Sequence, residues 1–375
     1  MSNQDFVRSL PSSGFATPSH LLSKYVDPLL LTTLIAIVAF GFIVLYSALD
    51  RNTAVFTNQV LRMGLGFAAL LIAAQLAPRF YLRWTPVVYV IGIGLLLAVL
   101  LVGVKVKGSQ RWLEIPGILR FQPSELMKIG VPMMVAWYLH ERTMPPSFKD
   151  LCVALAIIAL PAGLTMLQPD LGTGILVAVA GLVVIILAGV YWRWIGFALL
   201  SGAVAAPGLW FMLQDYQRER ILTLFDPQSD PLGAGWNIIQ STTAIGSGGL
   251  YGKGLFQGTQ SHLEFLPESQ TDFIIAVVGE ELGFMGVVSL LALYLIVTAR
   301  GLYIAAQAQQ TFGRLLAGAL TLTFFVYVFV NIAMVCGLLP VVGVPLPLVS
   351  YGGTSAITLM VSFGMIMAVR THSSW

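Results

Sequence analysis

The sequence predicts an all-α, polytopic membrane protein with about ten transmembrane helices. Only 10% of the 375 residues are charged, whereas a soluble domain carries about 25%. Hydrophobic residues make up 57% of the chain, and the mean hydropathy is +0.85. The apolar residues form continuous runs of about 20, the length with which an α-helix crosses ~30 Å of hydrocarbon. Because these runs do not alternate with polar residues, helices are favoured over a β-barrel.

Composition and charge exclude several other classes of protein. A soluble enzyme of this size needs a charged surface that this chain does not supply, and a disordered chain is poorer in hydrophobic residues. The net charge is only +3 and no basic run is present, so nucleic acid is not an expected partner. Cys152 and Cys336 each lie in an apolar run, where a thiol packs as a small residue. The four His residues show no zinc-binding spacing.

The chain divides into a tail, a membrane domain and a short end. Residues 1–27 are polar and lack the apolar core of a signal peptide, so they predict a cytoplasmic tail. Residues 28–370 are predicted to form one transmembrane domain, with a cytoplasmic C-terminus at 371–375. Very short turns join spans 5, 6 and 7, so both successive pairs are expected to be antiparallel neighbours. The predicted spans are 28–48, 57–76, 84–104, 122–140, 151–167, 170–190, 193–214, 271–298, 312–337 and 348–369.

The distribution of Lys and Arg predicts that both termini face the cytoplasm. Seven of the eight cations that then fall outside lie in two loops, 105–121 and 215–270. One explanation is that loops beside long hydrophobic helices are translocated whatever their charge. The other is that these loops bind an anionic ligand at the outer surface, such as a lipid phosphate or diphosphate. The candidate ligand-binding cations in the loops are Arg111, Arg120, Arg218, Arg220 and Lys253.

The 215–270 loop is the largest non-spanning segment, and loops of this length are usually functional. Its middle, 236–240, is apolar enough to form a short amphipathic helix in the membrane interface. The glycine-rich stretch 246–254 lacks the spacing of a phosphate-binding P-loop, and no strand precedes it. Its backbone could still approach a lipid diphosphate closely.

Four of the ionisable residues at the membrane boundary or deeper suggest a role; Arg62, Glu280 and Glu281 in the spans are less informative. Asp272, at the start of span 8, has two interpretations: an acid favoured by the helix dipole with Thr271 as the cap, or a partly desolvated general base. Glu125 and Lys128 share one face of span 4, and Asp170 begins span 6. Charges at this depth usually pair inside the helix bundle, so Lys128 with Glu125 or Asp170 forms either a structural pair or a substrate contact.

Several short motifs lie in the predicted spans and loops. They are RFQPSE (120–125), QPDLGT (168–173), DP (226–227) with GAGW (233–236), GSGG (246–249), LPE (266–268) with TDF (271–273), and SYGG (350–353). Taken together, these motifs resemble the SEDS family (shape, elongation, division, sporulation) over essentially everything after the tail. The stretch LPVVGVPLP at 339–347 is similar to the RodA branch, which acts in rod elongation.

The resemblance implies a ten-helix peptidoglycan glycosyltransferase of the bacterial inner membrane, with its active site facing the periplasm. Its substrates would be lipid II and the nascent glycan on undecaprenyl diphosphate. Its partners would be a class B penicillin-binding protein, which is a single-span transpeptidase, and other proteins of the elongation complex. Asp272 matches the catalytic aspartate of the family, and Glu125, Lys128 and Asp170 match functionally important polar positions inside the bundle.

The implied reaction converts an α-linked diphosphate into a β-1,4 bond, so the configuration inverts. Inversion needs one in-line displacement and one base, and a diphosphate leaves without protonation if cations meet its charge. The expected set is therefore Asp272 as general base with Lys128 and the cations of the two loops. No cofactor is assigned; a Mg or Mn ion bridging the diphosphate is compatible with this chemistry, but no residue pattern fixes a metal site.

Two rival functions stay open at this point. A lipid II flippase would use Glu125, Lys128 and Asp170 as its path and would leave Asp272 structural. A non-catalytic scaffold for the transpeptidase would need none of these groups. The enzyme is favoured because the basic loops and the boundary carboxylate converge on one face, and the chain has no internal repeat of the kind common in transporters.

Overall fold

The computed structural model describes residues 26–106, 109–115, 119–230, 233–262 and 268–372. The predicted tail therefore lies outside the described residues except at Val26 and Asp27, as do the last three residues of the C-terminus. The described chain is built almost entirely from helices. They are α1 Pro28–Ala48, α2 Thr53–Gln75, α3 Pro78–Val102, α4 Pro123–Leu139, α5 Phe148–Leu167, α6 Leu171–Leu187, α7 Trp192–Met212, α8 Asp215–Phe225, α9 Ala234–Ser247, α10 Thr259–His262, α11 Ile274–Gln307, α12 Thr311–Val335 and α13 Thr354–Thr371.

Ten of these helices follow the ten predicted spans, so the predicted fold class is confirmed. Seven are long and apolar enough to cross a membrane on length and composition alone: α1, α2, α3, α5, α11, α12 and α13. The other three are α4 and α6, each 17 residues long, and α7, which has 21. The chain is thus a multi-pass membrane protein.

Local sequence signals set several helix starts. Asp27 caps α1 by accepting a hydrogen bond from the Leu30 amide at 2.8 Å. Ser147 and Asp150 form a capping box at the start of α5. Proline occupies a first-turn position in α1, α3 and α4, where its missing N–H costs no helical hydrogen bond. These caps fix the ends of helices whose interiors are held by packing.

The core of the bundle surrounds α12, which packs against α4, α6, α11 and α13. The ring of Phe324 on α12 packs edge-to-face with two other rings. Its centre lies 5.7 Å from that of Tyr294 on α11 and 5.0 Å from that of Phe363 on α13. The helix α13 also packs along α2. One end of the bundle is tied by Asp27, which is fully buried and accepts hydrogen bonds from Arg300 and Arg370.

The helix α7 is nearly isolated within the described chain. Spans 5 and 6 pack as predicted, but α7 makes almost no contact with α6, so the second predicted neighbour pair is wrong. A short turn brings two helix ends together without fixing the angle between the axes. Three glycines of α7 show the same isolation, because nothing lies within 4 Å of where a Cβ would stand on Gly196, Gly202 or Gly208. The helix contacts the start of α5 through Trp194, whose ring stacks on that of Phe148 with the ring centres 4.8 Å apart.

A small three-stranded sheet marks one end of the bundle, which we call the sheet end. Its strands are β1 Val104–Val106, β2 Ser109–Ile115 and β3 Leu119–Phe121, in the order β1-β2-β3 with antiparallel pairing. They connect the end of α3 to the start of α4. The described parts of the 105–121 loop, for which no structure was predicted, therefore form a small antiparallel sheet whose strand β2 contacts α3 and α4.

The predicted short helix at 236–240 exists, and it is longer than predicted. It is α9, and it packs on α11, with Ile238 and Ala244 buried. Its Ser241 hydroxyl donates to the Val335 carbonyl at the end of α12 at 2.8 Å. The helix is therefore part of the packed protein at the sheet end.

The helix α11 is broken at Gly283, whose φ of 65° and ψ of −163° are not helical. The segment 248–254 fills the break. Amides of Phe284 and Met285 donate to the carbonyls of Gly249 and Leu250 at 2.9 and 3.1 Å. Since the backbone groups freed by the break find partners in this segment, a kink is tolerated inside a membrane helix.

Candidate active site

A cavity opens at the sheet end, with about 1040 Å³ of empty space including the part open to solvent. We call it the sheet-end cavity. Five elements contribute to it: β2, α4, α6, the segment before α11, and the irregular segment before α13. Its lining residues are Arg111, Trp112, Gln122, Glu125, Lys128, Asp170, Thr173, Leu176, Glu268, Thr271, Asp272, Gly343, Val344, Pro345, Tyr351, Gly352, Gly353, Thr354 and Ser355.

Asp272 lines this cavity from a turn that precedes α11. Because the helix begins at Ile274 with Phe273 as its N-cap, Asp272 is not a first-turn acid. Thr271 is not the cap either, since its hydroxyl donates to the Glu268 carboxylate at 2.9 Å. The capping interpretation is therefore wrong. The Asp272 carboxylate faces Gly343, and a Cβ at that glycine would stand 3.5 Å from Oδ2.

Glu125 and Lys128 form the ion pair that their spacing on α4 suggested. Lys128 Nζ lies 2.7 Å from Glu125 Oε1, and both side chains are mostly buried. The Lys128 ammonium also lies 5.0 Å from the centre of the Tyr327 ring on α12. The second carboxylate oxygen accepts a hydrogen bond from Thr358 of α13 at 3.3 Å. The pair therefore joins α4 to two core helices while it lines the cavity.

Asp170 has partners other than Lys128. It caps α6 by accepting from the Thr173 amide at 3.2 Å, and it accepts from Gln122 Nε2 at 3.0 Å. Arg111, reaching in from β2, lies 3.6 Å from Asp170 and donates to the Pro169 carbonyl at 2.9 Å. Its Nε has no hydrogen-bond partner among the described residues. The sheet is thus anchored to the start of α6 through one guanidinium group at the cavity wall.

Comparison with known proteins decides the family. Residues 27–375 match the family model of the FtsW/RodA/SpoVE cell cycle proteins. The chain belongs to this family. It is 53% identical over 349 residues to the peptidoglycan glycosyltransferase MrdB of Escherichia coli K12, a match that covers 93% of this chain and 94% of the relative. It is also 36% identical to a probable peptidoglycan glycosyltransferase FtsW of Trichlorobacter lovleyi, with 93% of each chain covered.

Solved structures give the same grouping. One chain of a peptidoglycan synthase complex superposes on this chain with a TM-score of 0.83 at 31% identity. That complex coordinates polymerization and crosslinking. That match covers 93% of this chain and 98% of the other. The rod-shape-determining protein RodA of Thermus thermophilus, as an aspartate-to-alanine mutant, gives a TM-score of 0.72 at 28% identity over 93% and 99% of the chains.

Not all the predicted cations of this FtsW/RodA/SpoVE chain reach the sheet-end cavity. Arg218 donates to the Trp210 and Phe211 carbonyls at 3.1 and 2.8 Å, and so caps the end of α7. Lys253 pairs with the fully buried Glu280 at 2.8 Å. None of these residues lines the cavity. Neither does Arg220, which lies on α8, and the Arg120 side chain lies outside the described residues although its backbone belongs to β3.

The glycine-rich stretch 246–254 also serves the fold. Gly248 and Gly252 lie so close to the α11 backbone that a Cβ at either would overlap the carbonyl of Gly279 or Glu281. Within the described residues, no part of this stretch lines the cavity. Its glycines therefore allow close approach to the broken helix, not to a ligand at that site.

Sequence reasoning missed several cavity residues. Gln122 carries the amide that reaches Asp170, and Tyr351 lines the cavity under the Arg62 guanidinium, 5.1 Å from its ring centre. Asn331, near the end of α12, was missed although a fully buried Asn in an apolar span is itself a signal of function. These polar residues lie in or beside motifs and spans that were interpreted only for their charges or their hydropathy.

Proposed function

We propose that this chain is a peptidoglycan glycosyltransferase that polymerises lipid II into β-1,4 glycan strands for cell elongation and rod shape. The observation that carries the proposal is the sheet-end cavity, where the Asp272 carboxylate, Arg111 and the Glu125–Lys128 pair line one space. The names of the relatives, glycosyltransferases and a rod-shape-determining protein, support the same activity.

The chemistry needs one base. Asp272 accepts the proton of the 4-hydroxyl on the incoming lipid II sugar as the oxygen attacks the anomeric carbon of the growing glycan. The bond to the lipid diphosphate breaks on the opposite face, so the configuration inverts. A diphosphate is a good leaving group and needs no general acid, so one carboxylate is sufficient. Arg111 and Lys128 are the described cations close enough to the cavity to meet the charge on the departing diphosphate.

The described lining of the sheet-end cavity carries more negative than positive charge, so it does not by itself neutralise a diphosphate. Among its described lining residues, two cations face four carboxylates: Arg111 and Lys128 against Glu125, Asp170, Glu268 and Asp272. No group of three or more His, Cys, Asp or Glu is arranged to hold a metal ion within the described residues. If a Mg or Mn ion were bound here, Glu268 or Asp272 would be the protein group to hold it, and it would supply the positive charge that the lining lacks.

A second, narrow cavity adjoins the first at Glu125 and Lys128 and extends between α4, α12 and α13. Its wall includes Leu320, Phe324 and Leu359, and its interior of about 40 Å³ has room for only a few water molecules. It is therefore too small for the polyprenyl chain of the substrate. In the proposed function the sheet end faces the periplasm of a bacterial inner membrane, where lipid-linked sugars are polymerised.

A class B penicillin-binding protein is the proposed protein partner. The proposal is supported by the 0.83 TM-score to a chain from a complex that couples polymerization and crosslinking. A polymerase that delivers nascent glycan needs a transpeptidase nearby to join the peptides. Other elongation-complex proteins would bind through the same assembly.

The test is polymerisation of lipid II by the purified full chain in detergent, with and without its class B partner and a chelator. Asp272→Asn should lower the rate by about 10²- to 10⁴-fold, the usual contribution of a general base. Asp215→Asn makes the same chemical change at a side chain that is 97% exposed on α8, and should leave the rate unchanged. In detergent a flippase produces no polymer, and a scaffold produces none in either variant. An Asp272→Asn chain as fast as wild type would exclude the proposed mechanism.

A further inference from the structure

Three consecutive backbone carbonyls before α11 are held by donors from elsewhere in the fold. The Gln270 carbonyl accepts from the Tyr351 amide at 2.8 Å. The Thr271 carbonyl accepts from the Ser350 hydroxyl. The Asp272 carbonyl accepts from Nδ2 of Asn331 at 2.8 Å. Each of these three carbonyls in the turn that carries Asp272 is therefore held by a donor from another segment.

Asn331 makes the most informative of these contacts. It is fully buried on α12, and its amide donates a second hydrogen bond to the Val344 carbonyl at 2.7 Å. Both neighbours are carbonyl oxygens, so the amide must present its nitrogen to them and its orientation is determined. Its own Oδ1 has no hydrogen-bond partner among the described residues. A buried polar group left half satisfied is costly, which argues that the two bonds it does make matter.

The two carbonyls that Asn331 joins belong to two neighbouring segments, and both segments line the sheet-end cavity. Asp272 is the candidate base, and Val344 lies in the irregular segment before α13, next to Gly343, which the Asp272 carboxylate faces. That segment is itself held at several points. Tyr294 donates to the Pro347 carbonyl at 2.7 Å, and the Leu346 amide donates to the Ser350 hydroxyl at 2.8 Å. Asn331 therefore links the turn that carries Asp272 to a segment that Tyr294 of α11 also holds.

The turn depends on such links because it has little regular structure of its own. Glu268 has a positive φ of 59°, and α11 begins only at Ile274. Carbonyls 270 to 272 are therefore not fixed by a helix that contains them. A catalytic group must be held within about 0.5 Å of its productive position, and a shift of about 1 Å can cost 10²-fold in rate.

We propose that Asn331 is a positioning residue for the transfer step, which holds the backbone of Asp272 against the segment that contains Val344 and so orients the Asp272 carboxylate. This inference rests on the proposed function, in which Asp272 is the base. Asn331 acts through Asp272 and touches no substrate. Its loss therefore lowers kcat and leaves KM for lipid II nearly unchanged.

The experiment compares Asn331→Leu with Thr321→Val. Leucine keeps the branched shape and the number of non-hydrogen side-chain atoms of Asn331, although it is bulkier, and removes both hydrogen bonds. Thr321 is a matched control because it is fully buried on the same helix and bonds only to the Ala317 carbonyl one turn away. We expect kcat for lipid II polymerisation to fall by about 10- to 100-fold in Asn331→Leu, with KM within about twofold. Thr321→Val should keep both constants.

A second arm separates a positioning role from a structural one. In an Asp272→Asn background, Asn331→Leu should add almost no further loss, because two residues that act through one step are not additive. Asn331→Ser, a smaller change, carries the same test if Asn331→Leu does not fold. A folded variant with wild-type kcat, or a full additional loss in the Asp272→Asn background, would overturn the inference. If Asp272→Asn is itself fully active, the proposed function fails first, whatever Asn331 does.

Discussion

The two basic loops of this chain differ in what their cations contact. In the 105–121 loop, Arg111 reaches the wall of the sheet-end cavity beside Asp170. In the 215–270 loop, Arg218 caps α7 and Lys253 neutralises a buried carboxylate. The longer loop carries the glycine-rich stretch and three of the candidate cations, yet the shorter loop supplies Arg111, the loop cation that lines the candidate active site.

This difference shows why charge alone does not locate a binding site. A guanidinium or ammonium group at a membrane surface is equally suited to a diphosphate, a helix C-terminus or a buried carboxylate. The partner across from it decides its use. Glu280 is fully buried and accepts hydrogen bonds from Lys253, Thr259 and Gln260. Lys253 is therefore committed to the fold, whereas Arg111 borders open space.

The largest effect among the cations is expected at Lys128. Lys128→Met should stop polymerisation almost entirely and should also destabilise the chain by about 3 to 5 kcal/mol, because Glu125 is left buried without its ammonium. Thermal unfolding followed by size exclusion, together with the lipid II assay, measures both effects. The double variant Glu125→Gln/Lys128→Met should regain stability but not activity. Recovery of activity in the double variant would show that the pair is only structural.

Arg111→Gln should come next. We expect a loss of about 10- to 100-fold in kcat/KM for lipid II, since one cation that stabilises the departing diphosphate is removed. The chain should still fold, because Gln122 and the Thr173 amide continue to hold Asp170. Steady-state kinetics with the purified chain checks this. Kinetics equal to wild type would place Arg111 with the structural cations.

Lys253→Met should affect stability more than catalysis. Glu280 loses its ammonium partner but keeps the hydrogen bonds from Thr259 and Gln260, so the loss should be about 3 kcal/mol, the low end for a broken buried ion pair. At a temperature where the variant is folded, KM for lipid II should stay within about twofold of wild type. A tenfold rise in KM at full stability would return the 215–270 loop to the active site.

Arg218→Gln should show the smallest effect. It removes a capping interaction at the end of α7, which contributes about 0.5 to 1 kcal/mol at a partly exposed site. Polymerisation should be unchanged within about twofold. A loss comparable to that of Arg111→Gln would erase the difference between the two loops.

Much of the fold could be predicted because each span carries its own signal. Continuous apolar runs predict the ten helices, and the i,i+3 spacing of Glu125 and Lys128 predicts their pairing. What could not be predicted depends on contacts between distant segments. Nothing local indicates that Gly283 breaks α11, that segment 248–254 fills the break, or that α7 stands away from α6.

The candidate site also contains residues that the sequence could predict and residues whose roles depend on contacts between distant segments. Asp272 could be singled out because a carboxylate at a membrane boundary is unusual, and the family resemblance agreed. Asn331 could not be connected with Asp272, since 59 residues separate them along the chain and only the folded core brings them together. The predicted cations of the 215–270 loop were assigned by charge, and their structural partners became visible only in three dimensions.

The most direct test of the account is to locate bound lipid II on the chain. A lipid II analogue with a photoreactive group on the sugar next to the diphosphate would be crosslinked to the purified chain and its attachment mapped by mass spectrometry. We expect labelling at 109–115, 122–128 and 343–355, the segments that border the sheet-end cavity, and competition by unlabelled lipid II. Competed labelling confined to 214–225 and 250–262 would contradict the account.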